Sequence, residues 1–159
     1  MGEMAVVKDD GVLRTLLGSC IGIALYDPAH RVAGLAHVVL PTSPGSPELP
    51  GKYMDTAIPA LLDHMARLVG RAVEPTARIA GGANMFATEV VRTIGIQNIE
   101  ASDRILGDMG IPIVGRHCGG ESGRRMALDA KSGVITIEVV GSDSIALHDR
   151  PRQIGASHG

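Results

Sequence analysis

Thr15-Leu16-Leu17-Gly18-Ser19-Cys20-Ile21-Gly22-Ile23-Ala24-Leu25-Tyr26 is the stretch from which the fold is read. Ile21, Ile23 and Leu25 alternate with Gly22, Ala24 and Tyr26. That alternation predicts a strand with one bulky face and one small face. Asp27-Pro28 ends it. Val32–Leu40, reading VAGLAHVVL, predicts the next strand, and Pro41 stops it. Two strands joined by so short a turn pair antiparallel. Upstream, Met4–Lys8 and Val12–Leu17 read as strands, and Asp9-Asp10-Gly11 between them predicts a hairpin.

Downstream the pattern changes. Thr42–Lys52 holds three of the nine prolines and reads as a long irregular loop, of a size that suits a lid or binding loop. Thr56–Val69 predicts a helix whose apolar stripe is Ile58, Leu61, Leu62, Met65, Leu68 and Val69. Asp55 or Thr56 is the expected cap, Pro59 falls in the first turn, and Gly70 is the stop. Ala77–Ala80 is a short strand running into the turn Gly81-Gly82. Met85–Gly95 is ambiguous. Asn98–Met109 predicts a second helix with Asn98 as cap and Gly110 as stop. Ile111–Arg116, Arg125–Asp129 and Val134–Val140 read as strands, and Gly119–Gly123 as a hairpin turn. Strands in blocks with two main helices between them predict a single α+β domain over residues 1–141, followed by a flexible C-terminal tail over 142–159.

Composition narrows the function classes. The chain has 159 residues, one Phe, two Tyr and no Trp, so its core is aliphatic. Net charge is −2, and Lys occurs only at Lys8, Lys52 and Lys131. A basic stripe with stacking aromatics is missing, which argues against nucleic acid as a partner. No apolar run is long enough to span a bilayer, and Met1–Asp10 lacks the apolar core of a signal peptide, so a cytoplasmic location is expected. There Cys20 and Cys118 are expected as free thiols. Without a CxxC pair, no structural metal site is expected.

Cys20 lies where a loop enters a strand, after Gly18 and Ser19. Main-chain N–H groups at such a bend can hold an oxyanion. A thiol needs a base to become a nucleophile near neutral pH, and His37, in the middle of the next strand, is the candidate. Thr15 can accept a hydrogen bond from one ring nitrogen while the other faces sulfur, provided the strand register points it at His37. Each residue also has a plain alternative. Free Cys is among the most buried residue types, an apolar-strand His is often a satisfied core residue, and Thr favours strands.

Thr15-Leu-Leu-Gly-Ser-Cys20 followed by Ala36-His37-Val-Val-Leu-Pro41 resembles the paired signature of the chemoreceptor glutamine deamidases, the CheD family. Lys52–Pro59, Ala80–Phe86, Ile94–Asn98 and Gly119–Arg125 agree with it in order, so the resemblance spans roughly residues 3–140. It implies a Cys20/His37/Thr15 site without metal or cofactor, and hydrolysis of glutamine side chains in the cytoplasmic helical region of chemotaxis receptors. It further implies glutamate methyl-ester hydrolysis, a CheC-type phosphatase as regulatory partner, and a layered α/β/β/α arrangement with mixed sheets. Two other readings stand beside it: a general cysteine amidase or peptidase, and a non-catalytic binding partner of the phosphatase or receptor.

Overall fold

The computed structural model describes residues 1–45, 48–141 and 144–147. The chain runs β1 (Met4–Lys8), β2 (Val12–Leu17), β3 (Ile21–Asp27), β4 (Val32–Val38), a 3-10 turn (Pro50–Lys52), α1 (Met54–Val69), β5 (Thr76–Gly81) and α2 (Glu89–Asp108). It ends with β6 (Ile113–Cys118), β7 (Arg124–Asp129), β8 (Ile135–Val139) and β9 (Ser144–Leu147). Five strands form one sheet in the order β1-β4-β3-β5-β6, and four form a second in the order β2-β7-β8-β9. β5 and β6 are parallel; the other described strand pairs are antiparallel. This is the α+β class expected from the sequence, with two main helices and a mixed first sheet.

The alternation in β3 now has a physical reason, because every residue of that strand is buried. Ile21, Ile23 and Leu25 join Ile58, Leu61 and Met65 of α1 and Ala101 and Leu106 of α2 in one core. Ala24 and Tyr26 face a second core, made with Leu13, Leu17, Met126, Leu128 and Ile137 of the other sheet. Each large aliphatic side chain so buried contributes about 1.5–3 kcal/mol. The small face lets the sheets approach: a Cβ on Gly22 would lie 2.8 Å from Met126 Sδ. Both helices therefore cover the first sheet, and the layers run helix, sheet, sheet. Among the described residues no helix covers the outer face of the second sheet, so the fourth layer implied by the resemblance is not seen there.

Several local expectations are corrected. The β1/β2 hairpin does not form, since β1 pairs with β4 and β2 with β7. Met4 and Val6 are needed by the helix-side core and Leu13 and Leu17 by the inter-sheet core, and one hairpin cannot serve both layers. Gly119–Gly123 likewise is a crossing between sheets, from β6 to β7, and no hairpin turn.

Helix α1 begins at Met54, and neither Asp55 nor Thr56 caps it. Asp55 instead accepts from the Ser43 N–H at 3.0 Å, pinning the Pro-rich loop, and Thr56 Oγ1 donates to Pro50 O at 2.5 Å. Pro59 thus lies beyond the first turn, where it has no N–H to give the Asp55 carbonyl one turn back. Gly70 ends the helix as expected, in the left-handed conformation with its N–H on Ala66 O. Leu68, assigned to the apolar stripe, is 46% exposed.

Helix α2 starts nine residues before Asn98 and is capped by Thr88, whose hydroxyl accepts from the Val91 N–H. Asn98 is fully buried inside it. Within the stretch expected as a tail, Ser144–Leu147 form the edge strand β9; residues 142, 143 and 148–159 lie outside the described residues.

Candidate active site

His37 stands opposite Gly22 in the β3/β4 ladder, on the face turned toward the second sheet. Its main chain is pinned to the segment that leads into β1: the His37 N–H donates to Glu3 O and the Gly2 N–H to His37 O, each at 2.9 Å. Thr15 is not a neighbour in the same sheet. It lies in β2 of the other sheet, between the inward-facing Leu13 and Leu17, and meets His37 across the layer. Its Oγ1 is 2.8 Å from His37 Nδ1. A neutral ring that donates Nδ1–H to this hydroxyl carries its lone pair on Nε2. Nε2 is buried and has no hydrogen-bond partner among the described residues.

Cys20 sits on the crossing between the two sheets. Leu17, 1% exposed, closes β2 in the inter-sheet core, and Ile21 opens β3 in the helix-side core. Only three residues span the gap, which forces the bend. Continuing the β3 alternation turns Cys20 to the same face as Gly22 and His37. The ladder then makes Cys20 and His37 diagonal neighbours, with Cα atoms about 7–8 Å apart, within reach of an imidazole and a thiol. No hydrogen bond joins Cys20 Sγ to His37 in this conformation.

The bend is gripped by its surroundings. The Gly82 N–H donates to Cys20 O at 3.0 Å and the Ala83 N–H to Gly18 O at 2.9 Å. Gly81 has φ 110, and a Cβ there would lie 2.1 Å from Cys20 O, so the turn requires glycine. The main-chain N–H groups of Ser19 and Cys20 donate to no acceptor among the described residues. Beside Thr15 and His37 opens a cleft of about 590 Å³ walled by Glu3, Leu35 and Leu49; Cys20 does not line it. Leu49 brings the end of the Pro-rich loop to this cleft.

Burial pushes the Cys20 thiol pKa up and the His37 imidazole pKa down. Both groups are therefore neutral at rest near pH 7. That electrostatic state suits proton transfer from thiol to imidazole at the moment of attack, in place of a standing thiolate–imidazolium pair.

Cys118 lies elsewhere, on β6, with its thiol on Ile79 O at 3.7 Å. His30 bonds the buried Asp27. Among the described residues no group of three or more His, Cys, Asp or Glu side chains is placed to share a metal ion, and no helix is long and apolar enough to cross a membrane. Two supports of the site escaped the sequence reading. Asn98 Nδ2 donates to Val39 O at 2.9 Å, tying α2 to the chain just past His37. Arg124, which the sequence places at the end of the expected Gly119–Gly123 hairpin turn, is 3% exposed. The apolar helix period running back through Val90, Val91 and Ile94 was the available signal for Asn98; Arg124 had none.

Fold and site together define a class: a two-sheet α+β domain carrying a thiol at a sheet-to-sheet crossing and a hydroxyl-anchored imidazole on the adjoining strand. Residues 39–139 match the family model described as CheD chemotactic sensory transduction, a span that begins just past His37. Whole-chain relatives extend the similarity. A protein of Methanococcus maripaludis named probable chemoreceptor glutamine deamidase CheD is 43% identical over 139 residues, covering 86% of this chain and 90% of its own. The chemoreceptor glutamine deamidase CheD of Thermotoga maritima is 38% identical over 142 residues, covering 89% and 90%. This chain belongs to the CheD family.

Proposed function

We propose that this protein hydrolyses the side-chain amide of glutamines in chemotaxis receptors, with Cys20 as nucleophile, His37 as its base and Thr15 orienting the base. The observation that carries the reading is the hydrogen bond between Thr15 Oγ1 and His37 Nδ1, beside a buried Nε2 that has no partner among the described residues; extending the β3 alternation by one step would set Cys20 on that face. The names of the relatives support the substrate.

The sulfur attacks the carboxamide carbon as its proton passes to His37 Nε2. The carbonyl oxygen takes the electron pair and is held by the unpartnered Ser19 and Cys20 N–H groups. The C–N bond then breaks and the His37 proton leaves with ammonia. Water, deprotonated by His37, attacks the thioester, releasing glutamate and restoring the thiol. Each proton taken is returned, so the cycle consumes only water. A methyl ester in the same position would release methanol by the same steps.

Thr15 gives no formal charge to the imidazolium, so the base stays weak and the thiol stays protonated until substrate arrives. Met85, packed against the bend at Gly18, is 49% exposed, and Phe86 and Val90 after it in the chain are 75% and 70% exposed, apolar surface suited to a receptor helix in the cytoplasm. A CheC-type phosphatase is the regulatory partner in this reading.

The test is mass spectrometry of a receptor cytoplasmic fragment incubated with wild-type protein or Cys20→Ala. Gln-to-Glu conversion by the wild type alone is expected. Conversion by both proteins would remove Cys20 from the chemistry. Failure of the folded wild type on several receptors would favour the non-catalytic binding reading.

A further inference from the structure

Arg124 is buried at the foot of the β6–β7 crossing; the two terminal nitrogens of its guanidinium meet main-chain carbonyls and an imidazole instead of a carboxylate, and its Nε has no partner among the described residues. Nη1 donates to His117 O at 2.6 Å and lies 2.8 Å from His117 Nδ1. Nη2 donates to Gly119 O and, at 3.3 Å, to Ser122 O. The His117 ring accepts because burial, and then the Arg124 charge, lower its pKa and keep it neutral. One side chain thereby closes residues 117–122 into a fixed loop, with a fork geometry that an ammonium cannot reproduce.

That loop holds the next one. The Gly119 N–H donates to Gly81 O at 2.9 Å, and Gly120 O accepts from the Asn84 N–H at 2.9 Å. The Gly81–Asn84 segment in turn holds Cys20 O and Gly18 O through the Gly82 and Ala83 N–H groups. Gly123 closes the circuit from below: a Cβ there would lie 3.3 Å from Leu17 O. Met85 Sδ packs over the same place, 2.8 Å from where a Gly18 Cβ would be. Every step is a backbone hydrogen bond or a direct contact, so displacement of the loop is passed on to the bend.

Resting on the assignment of Cys20 as nucleophile, we propose that Arg124 is a positioning residue that sets the Gly18–Cys20 bend, and with it the Ser19 and Cys20 N–H donors, by holding the Gly119–Gly123 crossing against the Gly81–Asn84 turn. The donors meet the oxygen only when charge develops on it. Loosening them therefore acts on turnover and leaves substrate affinity alone.

The experiment compares wild type, Arg124→Lys and His117→Leu well below their melting temperatures. It follows receptor deamidation and, separately, the rate at which iodoacetamide alkylates Cys20. For Arg124→Lys, kcat is expected to fall about 10–100-fold with KM within twofold, the size seen when a catalytic group is misplaced by about 1 Å. Cys20 alkylation should change several-fold. His117→Leu removes one acceptor and keeps Arg124, so it should show the same pattern at roughly threefold, with His117→Gln restoring wild-type values. The proposal is overturned if kcat and Cys20 alkylation are unchanged in Arg124→Lys, or if activity falls only with the unfolded fraction. Should Arg124→Lys not fold, His117→Leu with wild-type kcat and alkylation overturns it alone. A wild type inactive on receptor but with alkylation shifted in Arg124→Lys would defeat the deamidase reading and leave the positioning role standing.

Discussion

Replacing Thr15 by Val tests the site at its most specific point. The two side chains are nearly isosteric, so packing beside Leu13 and Leu17 is kept and the 2.8 Å hydrogen bond to His37 Nδ1 is lost. The wild-type bond favours the tautomer with hydrogen on Nδ1, which leaves Nε2 able to take the thiol proton. With the acceptor gone, a buried N–H loses its partner at a cost of about 1–3 kcal/mol. Moving the proton to Nε2 brings no relief, since that nitrogen is buried without a partner as well; the preference for the competent tautomer is lost, and with it the acceptor for the charged Nδ1–H of the imidazolium formed during attack. A hydrogen bond to a charged group contributes about 1.5–3 kcal/mol, so its loss from the transition state is about 10- to 100-fold in rate. We therefore expect kcat/KM for receptor deamidation to fall by that factor in Thr15→Val and to stay within about threefold of wild type in Thr15→Ser, which keeps the hydroxyl. Nitrogen-15 NMR of the His37 ring reads the tautomer directly. Wild-type rates in Thr15→Val, with hydrogen still on Nδ1, would refute the reasoning.

Other predictions follow from the same geometry. Because burial lowers the His37 pKa, the imidazole is neutral above its ordinary value of ~6.5, so the acid limb of the kcat/KM profile should lie below that pH; a limb centred above 7 would contradict the assignment. Gly81→Ala places a methyl 2.1 Å from Cys20 O at a backbone of φ 110, and should cost at least ~2 kcal/mol in urea unfolding and depress turnover further than stability explains. Asp27, 2% exposed, accepts from His30 Nδ1 and the Ala29 and Glu74 N–H groups. Burial raises its pKa, but these hydrogen bonds outweigh that and hold it below the ordinary carboxylate value. Its contribution is thus present above the unfolded pKa of ~3.9 and lost as pH falls through the lower folded value. Asp27→Ala should lose about 2–3 kcal/mol at pH 7, and the deficit against wild type should shrink in strong acid, as chemical denaturation across pH would show.

Local chemistry decided the parts of this protein that depend on neighbours in the chain. Period-two alternation marked β3 and β4, and their short connection made them partners, which fixes His37 against Gly22. Gly70 and Gly110 end helices because a left-handed residue stops them wherever they pack. The residues around Cys20 and His37 carried the family signature, so the candidate chemistry was legible without coordinates. What depended on layers was not. β1 and β2 have the turn of a hairpin, yet they separate because their apolar faces belong to different cores. Thr15 meets His37 across the sheets, a contact that no in-sheet register describes. Asn98 looks like a cap and is buried, bonded to Val39 O; Arg124 looks like the end of a hairpin turn and is the hub of a loop. Polar side chains such as these are placed by the main-chain groups that folding leaves for them to satisfy, and those groups exist only once the two sheets and the helices have come together.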